Sequence, residues 1–184
     1  MNTMKVAIFA IVAATTALFG GPKSGPEVGA MVFAFEPTHV TGPDAGTDTC
    51  PVCKYGNTPA VQVWVHGDSA SNVAKIVKVL EAKTAANPAG LKAFVVEVID
   101  KSATKTTEKQ LKGLAKSAAA KHVALTYVAK DNSAVSDYEI NLGTQVKNTV
   151  FVYRNRKVIA KWVNLTADAK GTAALDAAVT KATK

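Results

Sequence analysis

Residues 149–163, TVFVYRNRKVIAKWV, decide the fold of this chain. Two runs rich in β-branched and aromatic residues, Val150–Tyr153 and Val158–Val163, flank a short polar connection centred on Asn155. Such runs favour extended strands, and so short a connection between them predicts a β-hairpin. The two strands are expected to pair in the antiparallel sense, because a parallel pair needs a connection of a dozen or more residues.

Upstream of this hairpin, strand-like apolar runs alternate with helical patterns. The predicted strands are Ala60–Val65, Phe94–Ile99 and Val123–Val128. Between them, apolar residues recur at helical spacing, at Val73, Ile76, Val77 and Leu80 and again at Leu111, Leu114, Ala115 and Ala118. Strands separated by helices of ten or more residues imply right-handed crossovers and parallel pairing. The sequence therefore predicts an α/β fold with a mixed sheet that ends in a hairpin and a last helix.

Polar residues mark where the predicted helices begin. Either Ser69 or Ser71 suits the N-cap of the first helix. Thr107, followed three residues later by Gln110, has the form of a capping box for the second helix. Thr166 and Asp168 are placed to open the last helix.

Two segments precede the first predicted strand of the core. Val28–Phe35 is a short apolar segment that suits an edge strand. Residues 38–49 are rich in glycine, proline and threonine, which is typical of turns and gives no helical or strand period.

The first residues have the pattern of a secretory signal. Lys5 supplies a positive start, and Val6–Leu18 is an apolar run without a charge that is too short to span a membrane comfortably. The pattern predicts a signal peptide over residues 1–21, one domain over residues 22–184, and a periplasmic or extracellular location. An uncleaved membrane anchor is the alternative; otherwise no stable membrane span is expected once the signal is removed.

Composition and charge narrow the class of protein. Of the 184 residues, 48% are hydrophobic and 20% are charged, which fits one ordinary globular domain rather than a disordered chain. The net charge is +8, but the lysines of the predicted helices have no aromatic residues interleaved with them. Because single-stranded nucleic acid is bound by stacking on such aromatics, we interpret the charge as a solvated cationic surface and expect no nucleic-acid partner.

The two cysteines, Cys50 and Cys53, form the one stretch with specific chemistry. An exported Cys-x-x-Cys pair suits thiol–disulfide exchange with protein thiols and disulfides: one thiolate attacks a disulfide, and the second cysteine resolves the mixed disulfide. Lys54 lies beside the pair and favours the thiolate by its charge. Whether the chain is an enzyme stays open at this point.

Two other interpretations of the pair remain. Two thiolates with a histidine suit copper or zinc, and His39, within the same loop, is a better ligand than His66 at the far end of the next strand. Covalent haem would need a histidine where Lys54 stands. The third interpretation is a small structural disulfide in an interaction domain that staples the loop in an oxidising compartment.

The order of strands and helices resembles the thioredoxin-like fold, in particular redoxins of the alkyl hydroperoxide reductase and thiol-specific antioxidant type. The residues that carry the resemblance are Val28, Gly29 and Phe35 before the first loop and the hairpin Thr149–Val163. The resemblance implies a three-layer α/β fold with a central mixed sheet, a C-terminal hairpin and helices on both faces. By analogy with Cys-x-x-Cys oxidoreductases, it also implies that Cys50 is the attacking thiol and that Cys53 is the resolving thiol.

Two departures from that family are visible in the sequence. The pair formed by Cys50 and Cys53 precedes the first central strand, whereas thioredoxins carry their pair after it; residues 66–69 stand there instead. The place before the hairpin where thioredoxins have a cis-proline holds residues 147–149, Lys-Asn-Thr. Asp68, Glu97 and Asp100 are scattered along the sequence and indicate no paired-carboxylate hydrolase.

Overall fold

The computed structural model describes residues 21–184, so that the predicted signal peptide lies, apart from Gly21, outside the described residues. Strands and helices alternate along most of this part of the chain. Their bounds are β1 Thr38–Thr41, α1 Pro51–Tyr55, β2 Ala60–Val65, α2 Ala70–Ala86, β3 Lys92–Ile99, α3 Thr104–Ala118, β4 Ala124–Ala129, α4 Ser133–Asp137, β5 Asn148–Arg154, β6 Lys157–Val163 and α5 Ala169–Thr183.

Six strands form one mixed sheet in the order β1-β4-β3-β2-β5-β6. The strands β2, β3 and β4 are parallel, each joined to the next by a helix, whereas β5 and β6 form an antiparallel hairpin beside β2. The mixed sheet and its closing hairpin were both predicted from the sequence, and the structure confirms them. None of the helices in residues 21–184 is both long enough and apolar enough to cross a bilayer.

The sheet separates two apolar cores. One face packs against α2, α3 and α5 through residues such as Ile76, Leu111 and Leu175. The other face is covered by the short helices α1 and α4 and by an N-terminal segment that contributes Val32 and Phe35. The predicted arrangement, with helices on both faces, is therefore correct, although the helices on the second face are short.

The N-terminal segment is not the edge strand that the sequence predicted. Within Val28–Phe35 the structure has only an isolated bridge between Met31 and Lys157, and the sheet ends in β1 and β6 instead. The reason lies in the hydrogen bonds: the backbone of this segment pairs with the end of the β5–β6 hairpin, where Val32 N donates to Arg156 O at 2.8 Å. Residues 28–35, called here the N-terminal strap, therefore cross the hairpin end and then pass over the sheet.

Two of the three predicted helix starts are confirmed. The side chains of Ser69 and Asp168 cap α2 and α5 by accepting backbone N–H bonds. The predicted capping box at Thr107 is wrong, because α3 already begins at Thr104, directly after a 3-10 turn, and Thr107 is buried inside the helix.

A buried tyrosine fixes the strap to the sheet. The Tyr138 hydroxyl donates to Phe33 O at 2.5 Å and accepts from Phe33 N at 3.0 Å and from Gln62 Nε2 at 3.3 Å. Gln62 Oε1 in turn accepts from Trp64 Nε1 at 3.0 Å, and the Phe35 ring stacks on Trp64. Because buried polar groups cost free energy unless they are paired, this chain of hydrogen bonds sets the position of the strap.

We predict that Tyr138→Phe lowers the free energy of unfolding by about 1–3 kcal/mol, the usual cost of leaving buried partners unsatisfied. Backbone amides of the strap should then exchange with deuterium faster than those of β2. The matched control is Tyr127→Phe, since the Tyr127 hydroxyl is only half-buried and makes one long bond, 3.5 Å, to Glu108. Equal destabilisation by the two substitutions, measured by chemical denaturation, would contradict this role of Tyr138.

Candidate functional site

The cysteine pair opens helix α1. Cys50 is the N-cap residue and Pro51 occupies the first turn, where its missing N–H costs nothing. Cys50 and Cys53 form a disulfide with their Cα atoms 5.3 Å apart, and Cys50 Sγ accepts a hydrogen bond from Cys53 N at 3.1 Å. Val52 points the other way, into the core between the sheet and α1. The short helix therefore holds the disulfide at the surface while its apolar side anchors it.

The two sulfur-bearing residues differ in access to solvent. Cys53 is exposed, whereas Cys50 is half-buried and packs at the edge of the core. A cavity of about 350 Å³ adjoins the pair. It is lined by Ala34, Phe35, Glu36, Cys50, Cys53, Asn132 and Ser133. An approaching thiol can therefore reach the disulfide from the side of the strap and the start of α4.

The histidines predicted as metal ligands lie in different surroundings. His39 on β1 is buried, and its Nε2 lies 2.9 Å from the carbonyl oxygen of Thr49, the residue before Cys50. A carbonyl oxygen only accepts, so His39 Nε2 carries the proton. His66 Nδ1 is directed at the carbonyl of Val98 at 3.4 Å, at the end of the central strands. Thus the structure brings His39 close to the cysteine loop but does not bring His66 there.

No group of three metal-ligating side chains is assembled within residues 21–184. The set formed by His39, Cys50 and Cys53 therefore stays a prediction for the reduced protein. Lys54, expected to favour a thiolate, forms an ion pair with Asp44 instead of facing the sulfurs alone. Its charge is thus partly neutralised by a carboxylate.

The position after β2, where thioredoxins carry their cysteines, holds a polar cluster. Asp68 Oδ2 accepts hydrogen bonds from Asn148 Nδ2 at 2.6 Å and from Asn72 Nδ2 at 2.8 Å, and Asp68 Oδ1 accepts from Ser69 N. Asn148 also bonds both backbone groups of Leu165, which lies in the link between β6 and α5. These bonds tie the β2–α2 turn to the hairpin and to the last helix.

Residues 147–149 stand where thioredoxins have their cis-proline, and residues 21–184 contain no cis peptide bond. The departure visible in the sequence is thus also present in the backbone. The Asn148 side chain makes hydrogen bonds to Asp68 and Leu165. This end of the sheet is therefore a structural junction rather than a second thiol site.

A second cavity, of about 580 Å³, lies between α2 and α3 beside this junction. Both Asp68 and Glu97 line it, although the two are far apart in sequence. The parallel register pairs Val65 with Glu97, so the turn that follows β2 brings Asp68 to the same place. Burial, together with the charge of Asp68, raises the pKa of Glu97 to about 7. A single carboxylate inside the otherwise apolar run Phe94–Ile99 was the sequence signal for this site.

The chain was compared with known proteins and structures. No protein-family model and no curated protein sequence matches it. Among solved structures, a protein from Chlorobium tepidum provisionally assigned as the thiol:disulfide interchange protein DsbE superposes with a TM-score of 0.64 at 15% identity, covering 86% of this chain and 99% of the other. A provisionally assigned protein disulfide isomerase from Bacteroides thetaiotaomicron gives 0.63 at 12% identity, covering 88% and 94%.

A secreted disulfide oxidoreductase from Mycobacterium tuberculosis, described as homologous to DsbE of E. coli, gives a TM-score of 0.54 at 14% identity and covers 81% of this chain and 95% of its own. Identities this low show the fold alone. The chain therefore has the thioredoxin-like α/β fold, as the resemblance implied, and carries a Cys-x-x-Cys disulfide on it.

We predict that Asn148→Ala lowers the free energy of unfolding by about 1–3 kcal/mol, because Asp68 and both backbone groups of Leu165 lose a buried partner. Asn57→Ala is the matched control, since Asn57 is exposed and only its backbone oxygen is used, by Asn155 N. Thermal and chemical denaturation measure the difference. A loss of unfolding free energy no larger than that of Asn57→Ala would argue against a stabilising role for the Asn148 hydrogen bonds.

Glu97→Gln should stabilise the protein at pH 8 and much less at pH 5. The folded-state pKa of about 7 lies above the ordinary glutamate pKa of 4.5, so the folded protein binds the extra proton and wild-type stability falls as pH rises between these values. Glutamine removes that dependence. Denaturation curves of both proteins across pH 5–8 test this, and a difference that stays constant with pH would refute it.

Proposed function

We propose that this protein is a thiol–disulfide redox protein that acts through Cys50 and Cys53 on the thiols or disulfides of other proteins. One observation carries the proposal: an oxidised Cys-x-x-Cys pair lies at the surface beside a cavity, on a helix whose apolar side is anchored in the core. The names of the similar structures, among them thiol:disulfide interchange and disulfide oxidoreductase proteins, support the same chemistry.

Exposure favours Cys53 as the sulfur that meets a partner. A substrate thiolate attacks Cys53 Sγ, the bond to Cys50 breaks, and a mixed disulfide with Cys53 forms while Cys50 leaves as a thiolate. A second substrate thiol then displaces Cys53, so the substrate gives up two electrons and two protons and becomes a disulfide. The protein is left as a dithiol, and the reverse sequence reduces a substrate disulfide.

The hydrogen bond inside the pair supports this direction of attack. Cys53 N donates to Cys50 Sγ at 3.1 Å, and a donor at this position stabilises Cys50 more as a thiolate than as a thiol. A better leaving thiolate speeds exchange. This assignment reverses the roles implied by the resemblance, in which Cys50 attacks first.

The location of the protein is part of the proposal. We propose that residues 1–21 are a secretory signal and that residues 22–184 work as one domain in the periplasm or outside the cell. Disulfides persist in oxidising compartments, so the bonded pair supports this location. The Mycobacterium tuberculosis protein of similar fold is itself described as secreted.

The roles of the two cysteines are tested by trapping. Reduced Cys50→Ser and Cys53→Ser variants are incubated with oxidised glutathione, and adducts are followed by intact mass spectrometry. We expect Cys50→Ser, which keeps the exposed thiol, to form the adduct about tenfold faster than Cys53→Ser, because the greater access to Cys53 outweighs the larger thiolate fraction that the Cys53 N donor gives Cys50. Wild type should end as the internal disulfide without a stable adduct.

The control is an unfolded peptide with the sequence of residues 48–56, which carries both cysteines without the fold. The same two substitutions are made in this peptide. If neither protein variant reacts faster than the peptide with the same substitution, the disulfide is a structural staple and the redox proposal fails. Faster trapping by Cys53→Ser would restore the roles implied by the resemblance while leaving the redox function in place.

A further inference from the structure

The cavity between α2 and α3 lies on the opposite side of the sheet from the disulfide. Its walls come from β2, β3 and the two helices, and the residues that matter here are Val65, Asp68, Val73, Glu97, Thr107 and Leu111. The helices α2 and α3 belong to one core and the disulfide helix α1 to the other. The cavity is therefore separate from the proposed redox site.

Glu97 occupies a position where the fold calls for an apolar side chain. Along β3, Ala93 and Val95 face α2 and α3 and are completely buried, and Glu97 is the next residue on that face. Its carboxyl group forms no hydrogen bond within residues 21–184. Glu97 itself is only half-buried, because its side chain opens on the cavity instead of packing against the helices.

The charges around this carboxyl group are all of one sign. From the turn after β2, Asp68 faces it; α2 contributes Val73 and α3 contributes Thr107, which are neutral. The neighbouring strands present Val65 and Tyr127 in register with Glu97. No lysine or arginine lines the cavity among the residues that the structure describes.

The two carboxylates are not equivalent. Asp68 already accepts three hydrogen bonds from Ser69, Asn72 and Asn148, whereas Glu97 accepts none. Glu97 is therefore the group left to meet a ligand, with Asp68 adding negative potential and Thr107 supplying a hydroxyl. The apolar walls at Val73 and Leu111 suit a short hydrocarbon chain.

We propose that this cavity binds a primary alkylammonium group, with Glu97 as its counter-ion and the apolar walls around its hydrocarbon chain. A bound cation supplies the positive charge and the donors that the residues lining the cavity do not offer Glu97. Since the carboxyl must be ionised to act, binding releases its proton and strengthens as pH rises.

The test titrates n-butylamine into the full protein and follows backbone amide shifts by NMR. We expect shifts centred on Glu97, Thr107 and Leu111. An alkylammonium resembles the lysine side chain and keeps its proton up to pH 8, whereas Glu97 has a pKa of about 7, so the dissociation constant should fall about tenfold from pH 6 to pH 8. n-Butanol, which lacks the charge, should bind much more weakly.

Glu97→Gln should weaken butylamine binding by about tenfold or more and remove its pH dependence. Asp100→Asn is the matched control, because it removes one negative charge from the end of the same strand while Asp100 is exposed and outside the cavity. It should leave the affinity within about twofold, as screened surface charges contribute little.

Lack of binding to wild type at tens of millimolar butylamine would overturn the proposal. So would equal affinities for butylamine and butanol, or an affinity that is independent of pH or unchanged in Glu97→Gln. A parallel titration with Nα-acetyl-lysine methylamide separates two sources of the ammonium group. Binding of both compounds indicates that a lysine side chain fits, and binding of butylamine alone indicates a free amine.

Discussion

The complete burial of β2 constrains the rest of the structure. All six residues of this strand are buried, and it pairs on one side with β3 in parallel and on the other with β5 in the antiparallel sense. A strand with no contact to water has to satisfy every backbone group through its neighbours and bury side chains on both faces. The helix α1 before it and the turn after it are consequently held in fixed positions.

The chemistry of the chain sits at the two ends of this strand. The disulfide helix precedes β2 on one face, with Cys50 and Cys53 at the surface. After β2, the turn at Asp68 is occupied by hydrogen bonds to Asn72 and Asn148. Thioredoxins carry their cysteines after the central strand, whereas this chain carries them before it. The turn after β2 instead joins the hairpin to α5 and forms one wall of the cavity at Glu97.

Much of the fold was predictable from the sequence, and the reason is the strong pattern of its core. The apolar runs at Ala60–Val65 and Val150–Tyr153 mark central strands, and the short connection at Asn155 sets the hairpin. The strand β1 was missed because Thr38–Thr41 is polar and lies in a turn-rich segment. The path of the N-terminal strap depends on the Tyr138 hydroxyl, more than a hundred residues away, and no local pattern reveals such a contact.

The candidate sites, like the fold, were only partly predictable from the sequence. The cysteine pair and its place before the central strand were visible in the sequence, because a Cys-x-x-Cys spacing is local. The different exposure of Cys50 and Cys53 was not, since it depends on how α1 packs against the core. The meeting of Asp68 and Glu97 follows from strand register, which only the folded sheet defines.

The equilibrium reduction potential of the Cys50–Cys53 disulfide tests the central claim most directly. The protein is equilibrated in thiol–disulfide buffers of known potential, quenched by alkylation, and its oxidised fraction is read by mass spectrometry. A redox-active pair should give a value within the span of known exchange proteins, from about −120 to −270 mV. A value well below about −300 mV would identify a structural disulfide and contradict the account.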